Sequence, residues 1–284
     1  MEFKSSQSTP FAPVSRIRVG CVSFLNAKPL IYGLESLDWI DLSLDVPSRL
    51  LGGLVEKRFD VALLPVIDYQ RMSGLRLLTA GGIGCDGPTL TVRIFSREPM
   101  NEIRALACDT DSHTSVALAR VVLAERFGIR PTIVDFDFHR ERNPVEQTEV
   151  KVAQLLIGDK VVCQEPHGYP HQIDLGQAWK ELTGLPFVFA AWMARDGVGL
   201  GTLPAVLERA RRSGLRHVDE IIEAHAVPRG WPAHVARQYL TEYLKFDIGP
   251  QHLEAIRLFH RLAHKHGIIP HVPRELDVVE AERR

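Results

Sequence analysis

Short apolar runs alternate with helix signals through the first 65 residues, and this alternation constrains the fold more than any other feature of the sequence. The run 17–22 is too short for a helix and rich in β-branched residues, which predicts a buried strand. Residues 42–46 alternate leucine with polar residues as a short second strand, and 59–64 is a third predicted strand. Pro29 and Pro47 stand between them, where the first turn of a helix accepts proline. The resulting order, β-α-β-α-β, predicts a parallel sheet with right-handed crossovers.

A second strand–helix–strand pattern spans residues 105–136, with a predicted helix at 116–127 that ends at Gly128. From residue 203 onward the pattern is helical. We therefore expect an α/β protein with two lobes, in which strands at 89–95 and 187–193 cross between the lobes and the C-terminal helices return to the first. The predicted first lobe is discontinuous, residues 16–92 plus 193–284, and the second is 93–192.

Composition limits the classes of partner. Lys plus Arg number 34 and Asp plus Glu 35, with no basic stripe, so no nucleic-acid partner is expected. The 4 cysteines are far apart and have no zinc-ligand spacing, which favours free thiols in a reducing compartment. Residues 1–15 lack the apolar middle of a secretory signal and are expected to be a disordered leader. No apolar run approaches the ~20 residues of a membrane span, so we expect a cytoplasmic protein with no membrane partner.

Hydroxyl and amide side chains cluster just after strand ends in both predicted units. Parallel sheets place ligands at this edge, where free backbone N–H groups and helix dipoles favour anions. The alternative, that Ser23 or Asn26 only caps a helix, stays open. As a set, these neutral donors suit the binding of carboxylates better than nucleophilic catalysis. The set is Ser23, Asn26, Thr91, Thr110, Ser112, Thr114 and Ser115.

Other chemistries have weaker support. His167 and His171 are four residues apart, but the prolines around them prevent the helix that would place both on one face, so no metal site is expected. Ser115 lacks the G-x-S-x-G elbow of serine hydrolases. The glycine-rich stretch 81–88, a predicted loop, lacks the lysine and following helix of a nucleotide-binding loop. Four acids near strand ends are either a general base or loop-pinning residues: Asp68, Asp109, Asp111 and Asp159.

Several motifs, in order along nearly the whole chain, match one known family. Residues 19–30 (VGCVSFLNAKPL) are similar to its V-G-x-V-S-[YF]-L-N-x-x-P-L, and 87–96 (GPTLTVRIFS) to its G-P-V-x-S-V-x-L-F-S. Residues 109–118 (DTDSHTSVAL) resemble D-T-S-S-R-T-S-V-x-L, and LIGD at 156–159 and TGLPFVFAAW at 183–192 complete the set. The sequence thus resembles the chorismate dehydratases of the futalosine route to menaquinone.

The resemblance implies a type II periplasmic-binding-protein-like fold, with two α/β lobes, two crossing strands and a C-terminal helical segment. It implies a lyase that eliminates water from chorismate, a small dicarboxylate, to give 3-[(1-carboxyvinyl)oxy]benzoate, with no metal or organic cofactor. We expect a monomer or homodimer. Asn26 is the expected catalytic donor near the reacting ring, and the base is open between a side chain, a water and the substrate's second carboxylate. The residues expected to hold the two carboxylates are Ser23, Thr91, Ser112, Thr114 and Ser115.

Three positions depart from the family pattern. Thr91 replaces a serine, Asp111-Ser112-His113 replaces Ser-Ser-Arg, and Cys85-Asp86 replaces Ser-Arg. These changes predict less positive charge near the site. Two other functions share the fold: a solute-binding or sensor module without turnover, and a related enzyme acting on a later naphthoate precursor, which opens with a different motif.

Overall fold

The computed structural model describes residues 16–109, 112–136, 152–163 and 168–281, so the expected leader at 1–15 lies outside the described residues. The strands are β1 (Ile17–Val22), β2 (Ile40–Asp45), β3 (Val61–Pro65), β4 (Leu75–Cys85), β5 (Val92–Ser96), β6 (Ala105–Asp109), β7 (Thr132–Phe136), β8 (Val152–Ile157), β9 (His171–Asp174), β10 (Phe187–Arg195), β11 (Leu244–Lys245) and β12 (Val278–Val279).

The α-helices are α1 (Lys28–Ile31), α2 (Pro47–Val55), α3 (His113–Phe127), α4 (Asp159–Cys163), α5 (Leu175–Thr183), α6 (Leu203–Arg216), α7 (Val218–Ile221), α8 (Ala233–Gln238) and α9 (Pro250–Lys265). Short 3-10 segments include Leu25–Ala27, Val66–Gln70 and Val227–Arg229. Two π-helical segments, Ile222–Ala226 and Tyr239–Tyr243, extend α7 and α8.

The strands form two sheets. The first has the order β11-β4-β10-β3-β1-β2, with β12 also paired to β4, and the second has the order β7-β6-β8-β5-β9. β1 pairs in parallel with β2 and β3, and β6 with β7, as the two β-α-β patterns predict. β6 also pairs in parallel with β8. β4, β5, β9 and β10 each run antiparallel to a neighbour, so both sheets are mixed.

The sequence predicts a loop for the glycine-rich stretch 81–88, but its first five residues, 81–85, complete β4. A Cβ at Gly82 would lie 2.5 Å from the carbonyl oxygen of Ala190, and one at Gly84 would lie 2.6 Å from that of Phe187. Both carbonyls belong to β10, the antiparallel partner of β4. The glycines are therefore required by the close approach of two strands.

The two strands predicted to cross between the lobes, at 89–95 and 187–193, correspond to β5 and β10. Each of them pairs with strands of a single sheet. β5 belongs wholly to the second sheet and β10 wholly to the first. The chain passes between the sheets through residues 86–91 and again through α5 and the residues that follow it. The lobe boundaries, 16–92 plus 193–284 and 93–192, remain a prediction.

One hydrophobic core runs through both lobes. Where they meet, Trp179 of α5 and Phe187 of β10 pack edge to face with ring centroids 5.1 Å apart, and Phe259 of α9 lies 6.0 Å from the Trp179 ring. All three side chains are fully buried. The C-terminal helices thus do more than return to the first lobe, since α9 contacts both β10 and α3.

Two further expectations concern cysteines and membranes. Cys21, Cys85 and Cys108 are buried free thiols, whereas Cys163 is exposed. Among the helices of the described ranges, none is long and apolar enough to cross a membrane.

Candidate active site

A cavity of about 330 Å³ lies between the two sheets and is lined from both of them and from the C-terminal segment. Much of its wall is apolar, with Phe24, Ile83, Phe189 and Leu244 among the contributors. A wall of this kind, with few polar groups, is typical of sites for small organic ligands. The polar lining residues are Asn26, Thr89, Thr91, Ser112, Thr114, Ser115, Asp159, Lys160, Cys163, Arg229 and Tyr239.

Asn26 lies in the 3-10 turn between β1 and α1, as the opening motif predicts. Neither this turn nor α1 has a side-chain cap, so the capping interpretation of Ser23 and Asn26 is wrong. The Asn26 side chain instead hydrogen-bonds the hydroxyl of Tyr239. Its Oδ1 atom is buried and, among the described residues, has no hydrogen-bond partner.

Tyr239 joins Asn26 to Thr91, and no sequence motif indicates this role for it. The Thr91 hydroxyl donates to the Tyr239 hydroxyl at 2.9 Å. Burial raises the pKa of Tyr239 to about 12, although the hydrogen bonds from Thr91 and Asn26 act in the opposite direction. The phenol is therefore protonated at neutral pH and can serve as a donor, but not as a base.

The hydroxyl cluster at the start of α3 lines the cavity as predicted. Ser112 caps α3 by accepting from the N–H of Ser115 at 3.4 Å, and its hydroxyl donates to that of Ser115 at 2.7 Å. The Thr114 hydroxyl accepts from the N–H of Ile67 at 3.4 Å, which ties α3 to the segment after β3. Thr110 and Asp111 lie outside the described residues.

Ser23 is not among the residues that line the cavity. Its backbone carbonyl accepts from Nη2 of Arg229 at 3.0 Å. The structure therefore brings Asn26, Thr91, Ser112, Thr114 and Ser115 to one cavity, whereas Ser23 is not among its lining residues.

Two of the candidate bases are engaged. Asp68 is fully buried, accepts from Nδ1 of His113 at 2.9 Å and forms an ion pair with Nη1 of Arg71 at 3.0 Å, so it links the segment after β3 to α3. Oδ1 of Asp159 accepts from the indole N–H of Trp231 at 3.0 Å. The side chains of Asp109 and Asp111 are not among the described ones.

The departures from the family pattern do not leave the cavity without positive charge. Lys160 and Arg229 line it, although neither lies in the hydroxyl-rich clusters that the sequence singles out. Asp86, which stands where the family has arginine, pairs with Lys180 at 2.6 Å. The cations of the cavity therefore come from other parts of the chain, and the loss of positive charge through the departures stays a prediction.

Metal ligands are a separate question. Within the part of the chain that the structure describes, no three His, Cys, Asp or Glu side chains are grouped so that they could hold a metal ion. His171 lies in β9, and His167 lies outside the described residues.

Residues 17–265 match the sequence profile of the Menaquinone biosynthesis family. The chain belongs to this family. A chorismate dehydratase from Thermus thermophilus is 28% identical over 243 residues, which cover 79% of this chain and 87% of the relative. A 1,4-dihydroxy-6-naphtoate synthase from the same organism is 30% identical over 235 residues, 79% of this chain and 83% of that enzyme.

Solved structures show the same fold. The alkanesulfonate-binding protein SsuA from Xanthomonas axonopodis pv. citri bound to MOPS superimposes with a TM-score of 0.67 at 12% identity, over 94% of this chain and 99% of that one. The expected type II periplasmic-binding-protein-like fold is confirmed. Membership of the Menaquinone biosynthesis family and the relatives' names indicate an enzyme.

Proposed function

We propose that this enzyme is a chorismate dehydratase, which eliminates water from chorismate to give 3-[(1-carboxyvinyl)oxy]benzoate. One observation carries the proposal: Asn26, Thr91 and Tyr239 form a hydrogen-bonded group in an otherwise largely apolar cavity. The hydroxyls of Ser112 and Ser115 line the same cavity. The name of the Thermus thermophilus relative supports the assignment.

The charge and shape of chorismate suit this cavity. The molecule carries two carboxylates on a small ring, and the cavity offers neutral donors and two cations around apolar side chains. Apolar contacts from Phe24 and Phe189 can hold the ring, while the polar groups orient the carboxylates. Such positioning contributes to the rate by holding the substrate in its reactive geometry.

The reaction makes modest demands on the protein. The proton on C3 is vinylogous to the ring carboxylate, so its removal places negative charge on that carboxylate as a dienolate. The C4 hydroxyl then leaves, the ring becomes aromatic, and the proton and hydroxyl depart as water. Hydrogen-bond donors aimed at the developing charge lower the barrier, especially where water is excluded.

The chain supplies donors of this kind. Tyr239 keeps its proton because burial raises the pKa of its phenol, and the Asn26 amide is held against it. We assign Asn26 and Tyr239 to the developing charge, and Thr91, Ser112, Thr114 and Ser115 to the carboxylates. Ser23 acts through its backbone carbonyl on Arg229.

The test is an incubation of the pure enzyme with chorismate. We expect the absorbance of the cyclohexadiene to fall as an aromatic product with the mass of chorismate minus water appears in chromatography. Binding of chorismate without this product would instead favour a solute-binding or sensor module.

A second candidate, 1,4-dihydroxy-6-naphthoate synthase, is favoured by the relative of that name at 30% identity. The opening motif at 19–30 matches the dehydratases instead. Adding the protein to an extract of cells that lack this synthase, and measuring 1,4-dihydroxy-6-naphthoate, separates the two enzymes.

A further inference from the structure

A second polar group lines the cavity, and unlike the hydroxyls it carries formal charge. Its members are Asp159 and Lys160 on α4 and Arg229 at the end of the turn Val227–Arg229. Among the described residues they are the charged ones in the cavity wall. Two cations face one carboxylate, so the group has a net positive charge.

The contacts of Arg229 leave much of its guanidinium available. Nη2 donates to the Ser23 carbonyl at 3.0 Å, and Nη1 lies 3.8 Å from Oδ2 of Asp159. The second distance is too long for a hydrogen bond. A guanidinium has five N–H donors, of which one is accepted here by a described residue.

The Asp159 carboxylate is held by a different partner. Its Oδ1 accepts from the indole N–H of Trp231 at 3.0 Å, which fixes it beside Arg229 without a hydrogen bond between them. Asp159 is thus a nearby counter-ion that a better-placed carboxylate can replace.

The surroundings of Arg229 are basic. Burial lowers the pKa of Lys28, and the charge of Arg229 lowers it further. Burial also lowers the pKa of His225, with contributions from Lys28 and Arg229, while Glu35 acts on both groups in the opposite direction. Partly desolvated basic groups that repel one another are stabilised by a bound anion.

We propose that Arg229 and Lys160 form a subsite for one carboxylate of the ligand, distinct from the hydroxyl groups of Thr91, Ser112 and Ser115. Asp159 neutralises Arg229 in part until the ligand's carboxylate replaces it. The guanidinium can then bind that carboxylate through two parallel hydrogen bonds. The subsite rests on the proposed function only in taking a dicarboxylate as its ligand.

The experiment must distinguish ligand binding by Arg229 from a purely structural role of this residue. The residue joins Ser23 of the first lobe to Asp159 on α4, so its loss could loosen the whole cavity. Such loosening would weaken every ligand, whereas loss of a subsite weakens the ligands whose carboxylate it holds.

The experiment is calorimetric titration with three matched ligands. These are 3-(carboxymethoxy)benzoate, 3-methoxybenzoate, which lacks the side-chain carboxylate, and phenoxyacetate, which lacks the ring carboxylate. We expect Arg229→Gln to weaken the dicarboxylate and one monocarboxylate by about 10- to 100-fold, as for the loss of a charge-assisted hydrogen bond. The other monocarboxylate should keep its affinity.

Three further variants complete the test. Lys160→Gln should weaken the same two ligands as Arg229→Gln, and Asp159→Asn, which keeps an acceptor for Trp231, should tighten them. Arg209→Gln, at an exposed position on α6, is the matched control and should change nothing. If Arg229→Gln does not fold, two other measurements test the subsite. These are the binding of the ligands to Lys160→Gln and the binding of the dicarboxylate to the wild type, which should weaken at high salt.

Equal weakening of all three ligands, unchanged binding of the dicarboxylate, or a wild type that binds none of them would overturn the subsite. None of these results depends on turnover. A wild type that shows the selective pattern and does not convert chorismate would retain the subsite and remove the proposed function.

Discussion

The hydroxyl of Thr91 donates a hydrogen bond to the hydroxyl of Tyr239 across 2.9 Å, and both side chains are buried. Thr91 ends the segment that leads into β5, whereas Tyr239 begins a π-helical segment almost 150 residues later. This contact joins the segment that precedes β5 to the C-terminal segment at the wall of the cavity. It also places the Tyr239 phenol beside Asn26.

Replacing Tyr239 by phenylalanine should reduce both stability and turnover. The buried Thr91 hydroxyl and the Asn26 amide lose a partner, which typically destabilises a protein by about 1–3 kcal/mol. We expect a lower free energy of unfolding in denaturant titration and a fall in kcat of about tenfold or more, because a donor is lost.

Tyr243→Phe, at a half-buried position in the same segment, is the control and should retain both properties. A double-mutant cycle with Thr91→Val measures the coupling between the two hydroxyls. Wild-type kcat in Tyr239→Phe would restrict Tyr239 to a structural role.

Asn26 should matter more for turnover than for binding. We expect Asn26→Ala and Asn26→Asp to fold and to lose about 10²–10³ in kcat, as when a donor matched to the transition state is removed. Asn26→Asp is the sharper test, because it keeps the shape and adds negative charge beside an anionic substrate. The measurement is steady-state conversion of chorismate.

The matched control is Asn101→Asp, at an exposed position in the 3-10 segment Met100–Glu102. It makes the same chemical change away from the cavity and should leave kcat unaltered. If Asn26→Asp retained wild-type turnover, Asn26 would have no part in catalysis.

Turnover should be insensitive to chelators. The proposed chemistry uses neutral donors, and the described residues contain no grouped metal ligands. We expect the same rate of chorismate conversion before and after dialysis against EDTA. A loss of rate that a divalent metal restores would contradict this expectation.

His260 should make the fold sensitive to mild acid. Its Nε2 donates to the Val66 carbonyl at 2.9 Å and its Nδ1 accepts from the Gln70 amide at 3.0 Å, so the buried ring is neutral. Burial lowers the pKa of His260 from 6.5 to about 4. Between these values the unfolded chain binds a proton that the folded chain does not. Stability is therefore full above pH 6.5 and falls toward pH 4, by about 3 kcal/mol for this group.

The measurement is the free energy of unfolding at pH 7 and at pH 5 for the wild type and His260→Gln. We expect the variant to be less stable at pH 7 but to lose less stability on acidification. His234→Gln, at an exposed position on α8, is the control. An unchanged pH dependence in His260→Gln would show that other groups govern acid unfolding.

Local patterns predicted the parallel parts of both sheets, because short apolar runs between helix signals leave few alternatives. They failed at β4, where glycines that usually mark a loop instead admit the backbone of β10. The requirement for glycine comes from β10, which lies more than 100 residues later in the chain. No local sequence pattern around Gly82 and Gly84 indicates that requirement.

The site divides in the same way. The hydroxyls of Ser112, Thr114 and Ser115 follow directly from a strand end and a helix start, so the sequence predicts where they lie. Tyr239 and Arg229 reach the cavity through the packing of the C-terminal helices. Each looks locally like an ordinary residue of a helix or turn, and only the tertiary fold gives it a role.

The position of β10 also affects how the polypeptide can fold as it leaves the ribosome. β3 and β4 are consecutive in the chain, yet β10 lies between them in the sheet. Until Arg195 has emerged, a nascent chain holds β3 and β4 with no strand to join them, and unpaired edges of this kind bind other chains. The first lobe therefore cannot complete its sheet until the second lobe has been synthesised. The cavity is completed later still, because its lining residue Tyr239 follows β10 in the chain.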